Sequence, residues 1–156
     1  MTLVLEYEQA TRDAELARLH RVLAVRAMLV EGESQREVAK QLGVTQPAIS
    51  YQVARERTDG ARPSDLVAAG ASVLRHVAES RGFTGLAVFG SAARGDDRPD
   101  SDVDLLVQPP DGADLFDMLR LEEAFEEILG RDVDVVSYRG LDPQRDRDIL
   151  REKVLL

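Results

Sequence analysis

Residues 90–108, GSAARGDDRPDSDVDLLVQ, decide the fold that the sequence predicts. The stretch begins with a Gly-Ser turn, crosses a loop rich in aspartate and ends in an apolar segment. Side chains two residues apart share one face of a β-strand, so Asp102 and Asp104 are expected to point the same way. Two carboxylates held together are unfavourable unless a cation lies between them. The pattern therefore predicts a strand that presents a divalent-cation site.

The residues before this strand are suited to holding an anion. The apolar run LAVF predicts a buried strand that stops at Gly90, where a phosphate can approach the backbone. Ser91 and the first N–H groups of the next helical turn supply hydrogen-bond donors. Arg94 could reach the same anion, or could instead pair with Asp97 or Asp102. Phosphate donors ten residues before metal-binding acids are what metal-assisted nucleotidyl transfer requires.

A pair of acids returns on a later apolar segment. RDVDVV, residues 131–136, places Asp132 and Asp134 on one face and valines on the other. The valines predict a core strand beside the first one. The remaining acids of the first stretch, Asp96, Asp97 and Asp100, are expected only to decorate a loop.

The whole chain predicts a helical part followed by a mixed α/β part. Helices are expected at 10–30, in two short pieces between 34 and 57, at 66–82, at 113–130 and at 143–156, with strands at 84–90, 101–108 and 131–138. The fold class is α/β (α+β) with a mixed sheet, preceded by a small all-α domain. The predicted boundaries are 1–58 for the helical domain, 59–65 for a linker and 66–156 for the second domain.

Composition and charge limit the function classes. The 156 residues are 44% apolar and 31% charged, which is typical of a folded globular protein. The net charge is −9, and residues 1–57 carry eight basic and eight acidic side chains, so all the excess acid follows them. The acidic part is unsuited to binding nucleic acid but suited to divalent cations. With no cysteine, no basic leader and no long apolar run, we expect a cytoplasmic protein without a membrane span.

The short helical pieces resemble the helix-turn-helix domains of bacterial repressors. Ser34 and Glu37 form the pattern of a capping box, Gly43 suits the turn and Thr45 can cap the next helix. Val38, Leu42, Val44 and Ile49 supply the apolar positions, with Val53 expected to replace the unusual Gln52 by a slight rotation of the helix. The resemblance implies DNA contacts by Thr45, Gln46, Pro47, Ser50, Tyr51 and Arg55.

A plain helical hairpin that braces the second domain is the alternative for this segment. Because the segment has no net charge, a single copy would bind DNA weakly, and we expect a homodimer or higher assembly on operator DNA. The helix at 10–30 could supply the pairing surface, or its apolar stripe could equally be core of the helical domain. A later apolar stripe is expected to face the sheet: Leu115, Phe116, Leu119, Phe125 and Ile128.

The form G-S-x10-D-x-D with a later VDVV resembles the minimal nucleotidyltransferases of the DNA polymerase β-type superfamily, over about residues 66–153. The resemblance implies that Gly90 and Ser91 hold the triphosphate of ATP, with Arg94 and Ser101 also in the nucleotide site. It implies that Asp102 and Asp104 bind two Mg²⁺ ions. Asp134 fits the third carboxylate of the family pattern better than Asp132, as metal ligand and as the group that orients or deprotonates the attacking hydroxyl.

The same resemblance implies a function. Minimal nucleotidyltransferases commonly act as antitoxins beside a toxin, often a HEPN ribonuclease, and some transfer AMP to a tyrosine of that toxin. Few residues follow the third acid, so we expect another protein to present the acceptor. The leading hypothesis is an antitoxin that modifies its toxin and represses its own operon. Two alternatives stay open: a non-catalytic regulator that only binds nucleotide or toxin, and a transferase acting on a small antibiotic-like molecule.

Overall fold

The computed structural model describes residues 2–156, which form seven α-helices, one 3-10 helix and four strands. The helices are α1 (Leu3–Val30), α2 (Gln35–Leu42), α3 (Gln46–Arg55), α4 (Pro63–Ser80), α5 (Gly90–Arg94), α6 (Leu115–Leu129) and α7 (Arg147–Glu152), with the 3-10 turn at Tyr138–Gly140. The strands are β1 (Thr84–Phe89), β2 (Val103–Gln108), β3 (Val133–Ser137) and β4 (Val154–Leu155).

The four strands form one mixed sheet in the order β3-β2-β1-β4. β1 runs antiparallel to both β2 and β4, whereas β2 and β3 are parallel and joined through α6. The expected mixed sheet is therefore confirmed. The parallel pair brings the first residues of β2 and β3 to the same end of the sheet.

The closing helix is shorter than expected, because it begins only at Arg147 and gives way to β4. The Asp142 carboxylate accepts hydrogen bonds from the N–H groups of Gln144 and Arg145, each at 2.8 Å. These bonds hold a turn where a helix was predicted. Beyond the helix, Leu155 pairs with Ala87, so the end of the chain covers the edge of β1.

One face of the sheet packs on helices α1, α4 and α6. Val103, Leu105 and Val107 alternate along β2 and join the main hydrophobic core. Leu106 points to the opposite face and is also fully buried, so both sides of β2 are covered there. The strand is consequently fixed on two sides, which holds its first residues in place at the sheet end.

Helix α1 belongs to two hydrophobic clusters. Leu19 and Leu23 pack in the main core, whereas Val25 packs with Val38 and Ile49 of the short helices. The apolar stripe of α1 is thus core, but most of its buried residues pack in the main core with the α/β part, and only Val25 among them packs within the helical part as expected. Helix α1 thus joins the two clusters across the predicted domain boundary at residue 58. That boundary stays a prediction.

The predicted linker is anchored at its start. The buried Thr58 hydroxyl donates to the Leu129 carbonyl at 3.1 Å and accepts from Arg26 at 3.0 Å. Arg131 donates to the carbonyl of Ala61 at 2.8 Å, and α4 begins at Pro63. Arg131 therefore anchors the first part of residues 59–65. The last part, from Pro63, belongs to α4.

The short helices begin and end as the sequence predicts. Ser34 and Glu37 form the capping box, and Gly43 ends α2 in the left-handed conformation. The Thr45 hydroxyl accepts from the N–H of Ala48 at the start of α3. The expected apolar set is only half right: Leu42 and Val44 are 49% and 46% exposed, because α2 ends at Leu42 and α1 covers only the Val38 side.

The apolar stripe of α6 was also predicted too long. Phe125 and Ile128 are buried as expected, but Leu115, Phe116 and Leu119 are exposed, Phe116 to 65%. Burial begins at Leu121, so the first turns of α6 extend beyond the sheet. Across residues 2–156, none of the helices combines the length and apolarity that a membrane crossing needs.

Candidate active site

The turn between β1 and α5 lies against Asp104 of β2. Phe89 pairs with Asp104 across the ladder, and Gly90 follows with φ +72°. A Cβ at Gly90 would meet the Asp104 carboxylate. Glycine is required here for its backbone conformation and for this close approach. The Gly-Ser turn and the Asp-x-Asp segment are thus brought together, as the sequence predicts.

The three predicted acids lie at one end of the sheet. Asp104 and Asp134 are paired on the parallel ladder between β2 and β3, and Asp102 stands one residue before β2. Asp104 is half-buried, while Asp102 and Asp134 are exposed. Burial, followed by the negative charges of Asp134 and Asp102 and a hydrogen bond with Asp134, raises the pKa of Asp104 to about 6. Asp104 therefore loses its proton less readily than a free carboxyl group, because it is partly buried and other negative charges surround it.

These carboxylates fit a divalent cation by their chemistry. Mg²⁺ prefers oxygen ligands and commonly binds through one or two carboxylates together with substrate phosphates. The described residues contain no group of three acidic or histidine side chains already arranged around one point. Burial and then the negative charges of Asp134 and Asp102 raise the pKa of Asp104, and a bound cation would offset these charges. Asp102, Asp104 and Asp134 are the residues that would hold it.

Asp132 differs from Asp134 in its position. It precedes β3, and its carbonyl accepts a hydrogen bond from the N–H of Val103 at 3.2 Å. Asp134 lies within β3, and its charge and a hydrogen bond raise the pKa of Asp104. Asp134 is therefore the acid of β3 that lies beside Asp104, and its role as the third carboxylate stays a prediction.

Arg94 has neither of the acidic partners that the sequence suggested. Its guanidinium donates to Glu152 at 3.1 and 3.2 Å and to Asp96 at 3.2 Å, not to Asp97 or Asp102. Glu152 also accepts the N–H of Gly90 at 3.2 Å. Glu152 was missed because it lies 58 residues after Arg94, at the end of α7, with no local signal to connect them.

The loop before Asp102 is fixed by buried contacts. Asp97 was expected to be a surface residue, but its side chain is buried and accepts from Ser64 N–H at 2.8 Å and from Arg62 at 2.9 Å. The sequence interpretation failed because these partners lie 33 and 35 residues upstream. Arg131 donates to the carbonyls of Pro99 and Ser101 at 2.8 and 3.2 Å.

Ser101 takes part in the same loop. Its hydroxyl accepts the N–H of Arg98 at 2.9 Å, which closes a turn immediately before Asp102. Ser91 lies in the first turn of α5 and is half-buried. Ser101 therefore shapes the loop next to Asp102, whereas Ser91 directly follows the Gly90 turn.

The predicted DNA contacts share one surface of the helical part. All six are exposed, on α3 or at its N-cap: Thr45, Gln46, Pro47, Ser50, Tyr51 and Arg55. The expected rotation of α3 is absent, because Gln52 is half-buried and Val53 is 37% exposed. These residues of α3 are therefore exposed in the part of the chain that the structure describes. Their contact with DNA stays a prediction.

Comparisons with known proteins find relatives of the second part of the chain. The family described as "Polymerase beta, Nucleotidyltransferase" matches residues 75–156. A Methanocaldococcus jannaschii protein assigned as a protein adenylyltransferase is 42% identical over 67 residues, which are 43% of this chain and 72% of that protein. The protein adenylyltransferase MntA of Thermococcus cleftensis is 38% identical over 80 residues, 51% of this chain and 81% of the relative.

A solved structure is similar to the same part of the chain. It is assigned as a minimal nucleotidyltransferase and superimposes with a TM-score of 0.55 at 41% identity. The match covers 60% of this chain and 95% of the solved one. The sheet, the Gly90 turn and the paired acids thus occur in a part of the chain that has known relatives.

Proposed function

We propose that this chain, which belongs to the polymerase β nucleotidyltransferase family, is a Mg²⁺-dependent protein adenylyltransferase that uses ATP. The observation that carries the proposal is the pairing of Asp104 with Asp134 beside the Gly90 turn. Two relatives at 38–42% identity are named as protein adenylyltransferases, and these names support a protein acceptor.

The proposed reaction moves AMP to a hydroxyl group. The hydroxyl oxygen attacks the α-phosphorus of ATP, a new P–O bond forms, the bond to the β-phosphate oxygen breaks and pyrophosphate leaves. Mg²⁺ supplies charge neutralisation for the attacking and leaving oxygens. Asp134 orients the hydroxyl and takes up its proton, since it stands at the exposed edge of the acid group. Gly90 and Ser91 hold the phosphates.

The proposed acceptor is a toxin encoded with this chain, a HEPN ribonuclease being the kind that the motif resemblance implies. Modification of the toxin would make the chain an antitoxin. The proposed second role is repression of its own operon through α3, which keeps an exposed face with Ser50 and Tyr51. With no net charge in residues 1–57, useful affinity for DNA requires a dimer or higher assembly.

Mass spectrometry of the partner tests the enzymatic part. The product of the neighbouring gene is co-expressed with the wild-type chain, with Asp102→Ala/Asp104→Ala, or with Asp100→Ala as a control that removes an exposed acid of the same loop. We expect adducts of AMP less one water with the wild type and the control, and none with the double variant. An unmodified partner that still co-purifies with the wild type would favour the non-catalytic regulator.

A DNA-binding assay tests the regulatory part. The probe is the DNA upstream of the gene that encodes this chain, and the variant is Ser50→Ala/Tyr51→Ala. We expect weaker binding by at least tenfold, with transfer to the partner unchanged. The matched control is Asp102→Ala/Asp104→Ala, which should keep DNA binding. If both variants and the wild type bind this DNA equally, α3 does not contact it. The short helices would then be a hairpin that only braces the second domain.

A further inference from the structure

Glu152 occupies a position that an anionic ligand would take. Its Oε1 accepts the N–H of Gly90 at 3.2 Å, and both carboxylate oxygens accept from Arg94 at 3.1–3.2 Å. A backbone N–H together with a guanidinium is a common way of binding a phosphate. The donors suited to a nucleotide phosphate at this turn are thus already paired with a carboxylate of the same chain.

The contact joins the end of the chain to the turn that begins α5. Glu152 is the last residue of α7, which packs against α5, and only Lys153 separates it from β4. β4 is only two residues long and lies at the sheet edge. Helix α7 has six residues and no buried one. Such a short element opens at a low free-energy cost compared with the core.

We propose that Glu152 competes with the nucleotide: its carboxylate takes the place of a phosphate until ATP displaces it. The inference rests on the proposed function, since it concerns the same nucleotide site. Gly90 has a single N–H, which Glu152 already accepts, and a phosphate placed beside the Glu152 carboxylate at Arg94 would be repelled by its negative charge. Displacement frees Arg94 for the phosphate and releases the α7–β4 segment from the turn.

The carboxylate therefore lowers the apparent affinity for nucleotide. When an internal contact must first break, only the molecules in the open state can bind the ligand. The apparent affinity is then the intrinsic affinity multiplied by the fraction of open molecules. The ion pair is half-exposed, with the Arg94 side chain 48% accessible, so its contribution is modest. We expect an affinity change of roughly three- to tenfold when the carboxylate charge is removed.

Titration calorimetry with a non-hydrolysable ATP analogue and Mg²⁺ tests the competition. The variant is Glu152→Gln, which keeps the shape of the side chain and removes its charge. The matched control is Asp148→Asn, which removes one charge from an exposed residue of the same helix. We expect tighter binding only for Glu152→Gln. Unchanged binding by this variant would overturn the inference, and weaker binding would overturn it and make Glu152 a residue that positions Arg94.

Hydrogen exchange of the wild-type chain provides a second test that needs no variant. Displacement of Glu152 predicts faster exchange of the backbone amides of residues 147–156 when the analogue and Mg²⁺ are added. Slower exchange there would contradict it, since the segment would then close over the nucleotide. The wild type could bind the analogue and modify its partner while the calorimetry or the hydrogen exchange contradicts the competition. In that case only this inference fails. If no form binds the analogue, the proposed nucleotide site fails with it.

Discussion

Asp104 of β2 lies opposite Asp134 of β3 on a parallel ladder, and the Asp104 carboxylate is also the group that a Cβ on Gly90 would meet. One side chain thus lies against the Gly90 turn and beside Asp134 at the same time. Antiparallel pairing with β1 and parallel pairing with β3 produce this position, because they bring three chain segments to one end of the sheet. The mixed topology therefore assembles the site.

The charge of Asp104 should destabilise the fold in the absence of metal. Its pKa is raised from 3.8 to about 6 by burial and by its acidic neighbours, so the folded state holds the proton more tightly than the unfolded state. The penalty is absent below pH 3.8, grows between pH 3.8 and 6, and is complete above about pH 6. Allowing for partial exposure, Asp104→Asn should raise the free energy of unfolding by about 1–2 kcal/mol at pH 7.5.

Urea denaturation at pH 7.5 and pH 4 measures this effect. The gain of Asp104→Asn should disappear at pH 4, and the control Asp100→Asn should show no gain at either pH. Mg²⁺ at pH 7.5 should stabilise the wild type more than Asp104→Asn. A pH-independent gain would mean that packing, not charge, limits this position.

A side chain at Gly90 should cost more than one at Gly95. Both glycines have a positive φ, +72° and +79°, so alanine strains the backbone at either position, by about 1 kcal/mol. Only at Gly90 would the new Cβ meet Asp104, whereas at Gly95 it meets nothing within 4 Å. Gly90→Ala should therefore lose about 1–3 kcal/mol more than Gly95→Ala in urea denaturation, and equal losses would contradict the close approach.

The sequence predicted the mixed sheet, the capped short helices and the strands that carry Asp104 and Asp134. Each of these depends on local alternation or on capping chemistry. It could not predict that Asp97 is buried or that Glu152 reaches Gly90, since both depend on partners more than 30 residues away. The first turns of α6 show the converse limit. Their apolar spacing is helical, but only the packed structure shows where the sheet ends and Phe116 becomes exposed.

The two phenylalanines of α6 should differ in their effect on stability. Phe125 is fully buried in the main core, whereas Phe116 is 65% exposed. Phe125→Ala should lower the free energy of unfolding by about 3–5 kcal/mol, because it loses buried apolar area and leaves a cavity. Phe116→Ala should stay within about 0.5 kcal/mol of the wild type in the same urea titration. A comparable loss at Phe116 would show that its ring is covered in solution.

The buried carboxylate of Asp97 should stabilise the fold and the loop that leads to Asp102. Burial raises the pKa of Asp97, but hydrogen bonds from Ser64 and the charge of Arg62 outweigh it and hold the pKa below its usual 3.8. Its contribution is therefore complete above pH 3.8 and is lost as the pH falls through the lower folded value. Asp97→Ala should cost about 1–3 kcal/mol at pH 7, because it leaves the Ser64 N–H without its acceptor. Chemical denaturation beside the exposed control Asp100→Ala measures the difference, which should shrink below pH 3.8; a loss that is the same for both variants would contradict the anchoring role of Asp97.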